Sequence, residues 1–425
     1  MTGLLVLAIY VLAFVCAFAL VRLATSRLLR KASDFTARKT VTFGDESAVR
    51  PDRAASVISV AVIFLVWGAF TGSALVPFHA PGPFLGDTSF TYTAQTPDGR
   101  TDDATVAVRV FRFGEETSPI PVEPGDGFAR NDTDTVGAWR SKLIRVDRND
   151  ELGRAEGAAV VAVDSQAIQP GGRVNVRDGS VTMTPKGTLN FVPRKGLQME
   201  PIWLPSPESV WFRFVEIASE GYQNFNLLQH LGSSLFRVVA GFFFGALLGI
   251  PLGYAMGLSN WFRGWFDPIV EFMRPVPPLA LIPLVIIWAG IGEVGKVILL
   301  FLAALWIMAI AARAGVSGVQ ISKVHAAFSL GASKWQVMRH VIMPNSLPEI
   351  FTGARVAMGV CWGTVVAAEL VAAEKGAGMM IMVASKFQLT DIVIMGIVLI
   401  GAIGYAIDIL MRIAERWLVP WKGRG

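Results

Sequence analysis

The chain has 425 residues, 53% of them hydrophobic, with a formal charge of +5, two cysteines and four histidines; its mean hydropathy is +0.50. That balance excludes an ordinary soluble globular protein and calls for several membrane spans. Cys16 and Cys361 both lie in apolar runs, which excludes a disulfide framework or cysteine metal cluster, and much of the Lys and Arg falls in loops between apolar runs, a positive-inside pattern and no nucleic-acid footprint.

In chain order, Leu4 to Leu23 is an apolar run with Arg22, Arg27, Arg30 and Lys31 at its end. A cleaved signal peptide carries its positive charge first, so an uncleaved span with its N-terminus outside is expected over residues 1–25. Residues 26–53, with Arg38, Lys39, Arg50 and Arg53, read as a cytoplasmic linker, and residues 54–76 as a second transmembrane helix leading outward.

Over residues 77–203 the apolar runs vanish and period-two alternation appears. Phe90 to Thr93, the turn Pro97-Asp98-Gly99 and Ala104 to Val110 predict a hairpin; Ala158 to Val163, Arg173 to Val176, Ser180 to Thr184 and Thr188 to Val192 alternate similarly. An all-β, sandwich-like extracytoplasmic insert is expected. The stretches FTYTAQTPDGRTDDATVAVRV and GSVTMTPKGTLNFVP resemble bacterial cadherin-like or immunoglobulin-like repeats in permuted order. Asp132 and Asp134 are candidate Ca²⁺ ligands, read more simply as solvated turn carboxylates.

Leu204-Pro205-Ser206-Pro207 opens an amphipathic helix, Glu208 to Glu220, within a lead-in at 204–225. The domain at 226–425 then alternates sides. Leu228 to Leu258 runs inward, rich in glycine, which lets helices approach closely. Arg263 to Arg274 is a cytoplasmic amphipathic turn. Pro275 to Ala289 returns outward, its prolines suiting a broken segment. Val297 to Ala312 runs inward, Phe351 to Val371 outward, Ala372 to Leu389 is a polar outer crossing, and Ile392 to Met411 descends to a basic tail. The fold class is thus an all-α polytopic membrane protein of about seven spans with an inserted all-β domain, N-terminus out and C-terminus in.

The organising stretch is His325 to Pro344, HAAFSLGASKWQVMRHVIMP, with Lys323, Lys334, Arg339 and His340 in and beside it. It is too polar to cross hydrocarbon. Ala326, Ala327, Leu330 and the Trp335–Met338 region form an apolar side, and Gly331 allows a turn between two short helices. A stop is predicted at Met343-Pro344, since the proline ring opposes continuation. No GxxxxGK[ST] loop and no HExxH pair occurs. Intramembrane Glu369 is a pathway candidate, facing a pore axis or else paired in water with Lys375. Pro275, Pro277, Pro278, Met379 and Met380 are the other gate candidates. Asp408 is expected to pair with Arg412, and Glu293 and Lys296 read as solvated turn charges.

The spacing of Ala326, Ala327, Gly331 and Pro344 resembles the cytoplasmic loop of binding-protein-dependent ABC importer permeases of type I, with His325 where that family usually has Glu. The resemblance implies an ATPase-coupling loop comprising His325, Ala326, Ala327, Gly331, Ala332, Ser333, Lys334 and Pro344. It further implies a non-enzymatic pore subunit of a bacterial inner membrane, paired with a second copy of itself. The implied partners are an ATPase homodimer holding ATP and Mg, and a periplasmic substrate-binding protein. No cofactor or metal is implied on this chain, and no nucleic-acid partner.

The run RPVPPLALIPLVIIWAGIGE, Val365 to Glu369, Thr390 to Val393 and Val419 to Gly423 look most like taurine permeases. Other relatives of that group carry alkanesulfonates, nitrate, bicarbonate or aromatic acids. A membrane-anchored sensor or adhesion protein is the competing class; secondary transport would call for an inverted repeat, which the sequence lacks.

Overall fold

The computed structural model describes residues 3–28, 53–112, 115, 117–152 and 156–421, in two compact units, Met1–Glu208 and Ser209–Gly425. Most of the linker expected at 26–53, and Lys422 and Arg424 of the basic tail, lie outside the described residues.

The first unit opens with two apolar helices, α1 (Gly3–Leu28) and α2 (Arg53–Thr71), which pack on each other with the Tyr10 and Phe70 rings 4.3 Å apart. Helix α2 ends at Thr71, short of the expected Val76. Beyond it the chain is tied to the far end of the insert. The Trp67 indole donates to the Pro205 carbonyl at 2.9 Å, and Met199 N–H to the Phe70 carbonyl at 2.9 Å. The Ser73 hydroxyl donates to Glu208 at 2.5 Å and Ala74 N–H to the same carboxylate at 3.0 Å. Both ends of the insert therefore close on one helix end, the geometry that lets a domain be spliced into a connection.

Nine strands follow: β1 (Gly86–Gln95), β2 (Thr101–Phe111), β3 (Asp132–Gly137), β4 (Lys142–Ile144), β5 (Ala159–Val163), β6 (Gln166–Ala167), β7 (Arg173–Val176), β8 (Gly179–Met183) and β9 (Leu189–Pro193). They form two sheets, β3-β2-β1-β5-β6 and β4-β9-β8-β7. Alternate residues of the two inner faces, among them Tyr92, Val106, Val108, Val181, Leu189 and Phe191, make one core in which Phe90 stacks on Phe191 at 5.8 Å. The predicted β1–β2 hairpin pairs without a slip, and Gly99 supplies the positive φ of its turn.

Two features depart from expectation. Strand β3 pairs parallel to β2, and it holds Asp132 and Asp134, which are therefore strand residues and not turn carboxylates. Asp134 pairs with Lys142 at 3.0 Å. Among the described residues no group of three or more His, Cys, Asp or Glu side chains could hold a metal ion.

Asp132 Oδ2 is buried with no hydrogen-bond partner. Burial first, and then the charge of Asp150, push its carboxyl up to about 7. The folded state thus holds a proton that the unfolded chain releases near pH 4, so this group's contribution weakens as pH rises towards 7. Asp132 should make the β unit about 2 kcal/mol less stable at pH 8 than at pH 5. Asp132→Asn should remove that slope and stabilise the unit at pH 8, read as resistance of residues 86–193 to proteolysis within the full chain.

The second unit is helical: α3 (Pro207–Glu220, which begins at the end of the first unit), α4 (Leu227–Leu258), α5 (Asn260–Met273), α6 (Ile282–Ala289), α7 (Glu293–Ser317), α8 (Ile321–Ser329), α9 (Lys334–Val337), α10 (Met343–Ala372), α11 (Ala377–Lys386) and α12 (Thr390–Leu418). Helix α4 starts on a capping box, Asn226 with Gln229. It then presents Gly241, Gly245, Gly249 and Gly253, one per turn, to α7. A Cβ on Gly245 would stand 2.5 Å from the Ala304 Cβ, so the two backbones approach as closely as glycine permits.

Among the described residues four helices are long and apolar enough to cross a membrane: Leu227–Leu258, Glu293–Ser317, Lys334–Val371 and Thr390–Leu418. The stretch Pro275 to Ala289, expected as a broken segment, is not one continuous helix. A 3-10 turn, Pro278–Leu281, leads into α6, and this segment is bent by 94° from α5. Eight helical residues rise about 12 Å, well under a hydrocarbon core. The closely spaced prolines remove the backbone donors that would have kept the chain straight.

Candidate functional site

The coupling stretch folds as two short helices about Gly331, then departs from the predicted stop. Helix α8 carries His325, Ala326 and Ala327. Gly331 has φ +83°, and a Cβ added there would meet nothing within 4 Å, so its role is conformational. Ala332 leads to Ser333, which caps α9. The Gln336 N–H donates to the Ser333 hydroxyl at 3.3 Å, and the Ser333 N–H to the Gln336 side chain at 2.8 Å. Lys334 opens that helix.

No break occurs at Pro344. A π turn, Met338–Ile342, joins α9 to α10, with Met343 N–H bonded to the Met338 carbonyl. Pro344 has no N–H for the His340 carbonyl, and its ring would press on that group in a regular helix. The wider turn relieves both problems, and the chain runs from Lys334 to Val371 as one span-length element. Leu330 is 89% exposed and Trp335 69%, with Ile321 and Phe328 also bare, so the elbow presents an apolar knob.

At the other end of these helices lies a cluster that the sequence reading missed. Arg237, on α4, has no exposed surface. Its Nε and Nη2 donate to both oxygens of Glu293 at 2.5 and 2.6 Å, and its Nη1 to Glu369 at 2.5 Å and to the Lys375 carbonyl at 3.0 Å. Glu369 also accepts from the Ser234 hydroxyl at 2.7 Å and from Gly378 N–H at 2.9 Å. The Ser234 hydroxyl oxygen in turn accepts from Ala377 N–H at 3.0 Å. His230 Nδ1 accepts from Gly376 N–H at 3.1 Å, which places the ring proton on Nε2, facing the Tyr222 carbonyl at 3.0 Å. Lys296, itself buried, reaches Glu293 at 3.3 Å.

Several expectations are corrected here. Glu369 is buried inside the protomer with Arg237 as its partner; Lys375 instead lies over the Phe225 ring at 5.7 Å. Glu293, half-exposed, and Lys296, buried, are both paired within the cluster and are not free turn charges. The outer crossing is not simply polar, because α11 packs inward and buries Met379 and Met380. Pro275 and Pro277 are exposed and Pro278 half-buried; the segment after them packs Leu281, Ile282 and Val285 on Leu299 and Ala368, next to Glu369. Asp408 does pair with Arg412, at 2.7 Å, and also with Arg355 at 3.2 Å. The signal for the cluster was present: Arg237 is a lone charge inside the apolar run LFRVVAG, where an unpaired cation would be prohibitive.

Residues 245–420 match the family described as binding-protein-dependent transport system inner membrane component. The taurine transport system permease protein TauC of Escherichia coli is 47% identical over 226 residues, covering 53% of this chain and 82% of that protein. The chain belongs to this family. It is a transmembrane permease of an ABC importer and not an enzyme; such permeases work with an ATPase and a substrate-binding protein. The putative aliphatic sulfonates transport permease SsuC of Bacillus subtilis is 35% identical over 219 residues, covering 52% of this chain and 78% of that one. A solved structure of the MetNI methionine ABC transporter overlaps 45% of this permease and 95% of its own chain, at 20% identity and a TM-score of 0.41.

Proposed function

We propose that this permease forms half of the pore of an ATP-driven importer for taurine or a related sulfonate, with a second copy of the chain as the other half. Residues 226–425 are the permease domain, and residues 77–203 an extracytoplasmic insert between the membrane helix at 54–76 and the lead-in at 204–225. The N-terminus lies outside and the C-terminus in the cytoplasm. His325 to Pro344 is the contact for the ATPase, which holds ATP and Mg.

The observation that carries this reading is the mechanical continuity from the exposed knob at Leu330 and Trp335 through the π turn into α10. Closure of an ATPase dimer against the knobs would displace a rigid element that carries Glu369 of the buried cluster in its last turn. A two-state change needs an element of this kind, whose position both ends bias. Substrate rests on the names of the relatives, TauC first. The test is reconstitution of the permease with its ATPase and binding protein, followed by uptake of radiolabelled taurine. ATP-dependent accumulation of taurine is expected. Uptake of nitrate, bicarbonate or an aromatic acid in its place would reject the sulfonate assignment.

A further inference from the structure

Beside the Arg237 cluster lies a cavity of about 370 Å³, lined by Gln229, Gly232, Ser233, Phe236, Glu293 and Lys375. The first four fall at i, i+3, i+4 and i+7 on α4, so they form one wall. Gly232 faces open space on that wall, where a Cβ would meet no atom within 4 Å. Glu293 is answered on one edge by the Arg237 fork and Lys296, yet its side chain remains 55% exposed. Lys375 differs: its ammonium lies over the Phe225 ring, 5.7 Å from its centre, and, among the described residues, makes no ion pair. A partly sheltered cation of this kind is an anion site awaiting its counter-charge.

We infer that this cavity binds a small aminoalkanesulfonate directly, with no binding protein present. The inference deepens the proposed function and rests on it for the substrate class. The sulfonate accepts from the Lys375 ammonium, with the Gln229 side-chain amide N–H as a further donor on the α4 wall; the Ser233 hydroxyl donates to the His230 carbonyl at 2.9 Å. The short alkyl chain lies by Phe236, and the ammonium turns towards the open edge of Glu293. The permease then has its own check on a substrate released at the pore, separate from that of the binding protein.

The test uses the permease–ATPase complex in phosphatidylcholine nanodiscs without binding protein, with radiolabelled taurine in a scintillation-proximity assay. Saturable taurine binding is expected. Lys375→Met should weaken it at least tenfold while keeping the backbone carbonyl that Arg237 uses. Gly232→Leu should abolish it, because a side chain added here starts from a Cβ in open space on the cavity wall and takes up the cavity's volume. Size-exclusion profiles establish that each variant complex is intact. No saturable binding to the wild-type complex overturns the site, as does binding unchanged in either variant. Binding that disappears when anionic lipid is added means that lipid headgroups own the site, and this too rejects the inference. Taurine uptake by the full importer without binding here would defeat this site alone, whereas failure of that uptake would defeat the substrate assignment.

Discussion

Replacing Arg237 with methionine is expected to destabilise the permease by about 3–5 kcal/mol, the usual result of stranding one partner of a buried ion pair. The two carboxylates that Arg237 serves are not equivalent. Glu293 has a half-exposed side chain and keeps Lys296, so it can recover water. Glu369 has no exposed side-chain surface and would retain only Ser234 and the Gly378 N–H. The loss should therefore sit mostly on Glu369. Two consequences follow for thermal unfolding in detergent. Glu369→Gln alone should cost less than Arg237→Met, since Arg237 keeps its fork on Glu293. Combining Arg237→Met with Glu369→Gln should recover much of the single-mutant loss, a coupling that a double-mutant cycle measures. Strict additivity would show that the two side chains do not depend on each other.

That cluster also marks the limit of what the sequence could disclose. The coupling frame was legible because Ala326, Ala327, Gly331 and Pro344 are local, and a glycine at a positive φ is readable from a turn between two apolar faces. Strands β1, β2, β5, β7, β8 and β9 were legible because each alternates over a core. Strands β3 and β4 were not, being short, and β3 polar: DTDTVG carries little apolar signal, and its partner β2 is reached only after a long connection. Arg237, Glu293 and Glu369 lie on three helices, so no spacing rule links them. Only the improbability of a bare cation in an apolar run pointed there. The error at Pro344 has a different origin. The rule that proline ends a helix assumes a regular α-helical turn before it, and the five residues Met338–Ile342 adopt the wider turn that makes the ring acceptable.

Gly331→Val should reduce uptake by roughly 10- to 100-fold, the rate equivalent of the ~1–3 kcal/mol that a β-branched residue pays in left-handed backbone. A Cβ at this position meets nothing within 4 Å, so the cost lies in the backbone conformation. To escape the strain the turn must open, and α8, with His325, Ala326 and Ala327, then leaves its set angle to α9. The knob formed by Leu330 and Trp335 loses its shape while α10 and the bundle stay as they were. Thermal stability should thus remain within a degree or two of the parent, and the ATPase should co-purify in reduced yield. Gly331→Asn supplies the decisive contrast, because asparagine tolerates the left-handed region through its short polar side chain. It should retain most uptake despite being larger than glycine. If asparagine were as damaging as valine, the backbone conformation would not be what matters. If valine were harmless, the elbow would not transmit force at all, and the continuity from Ser333 to Ala372 would be packing without mechanical purpose.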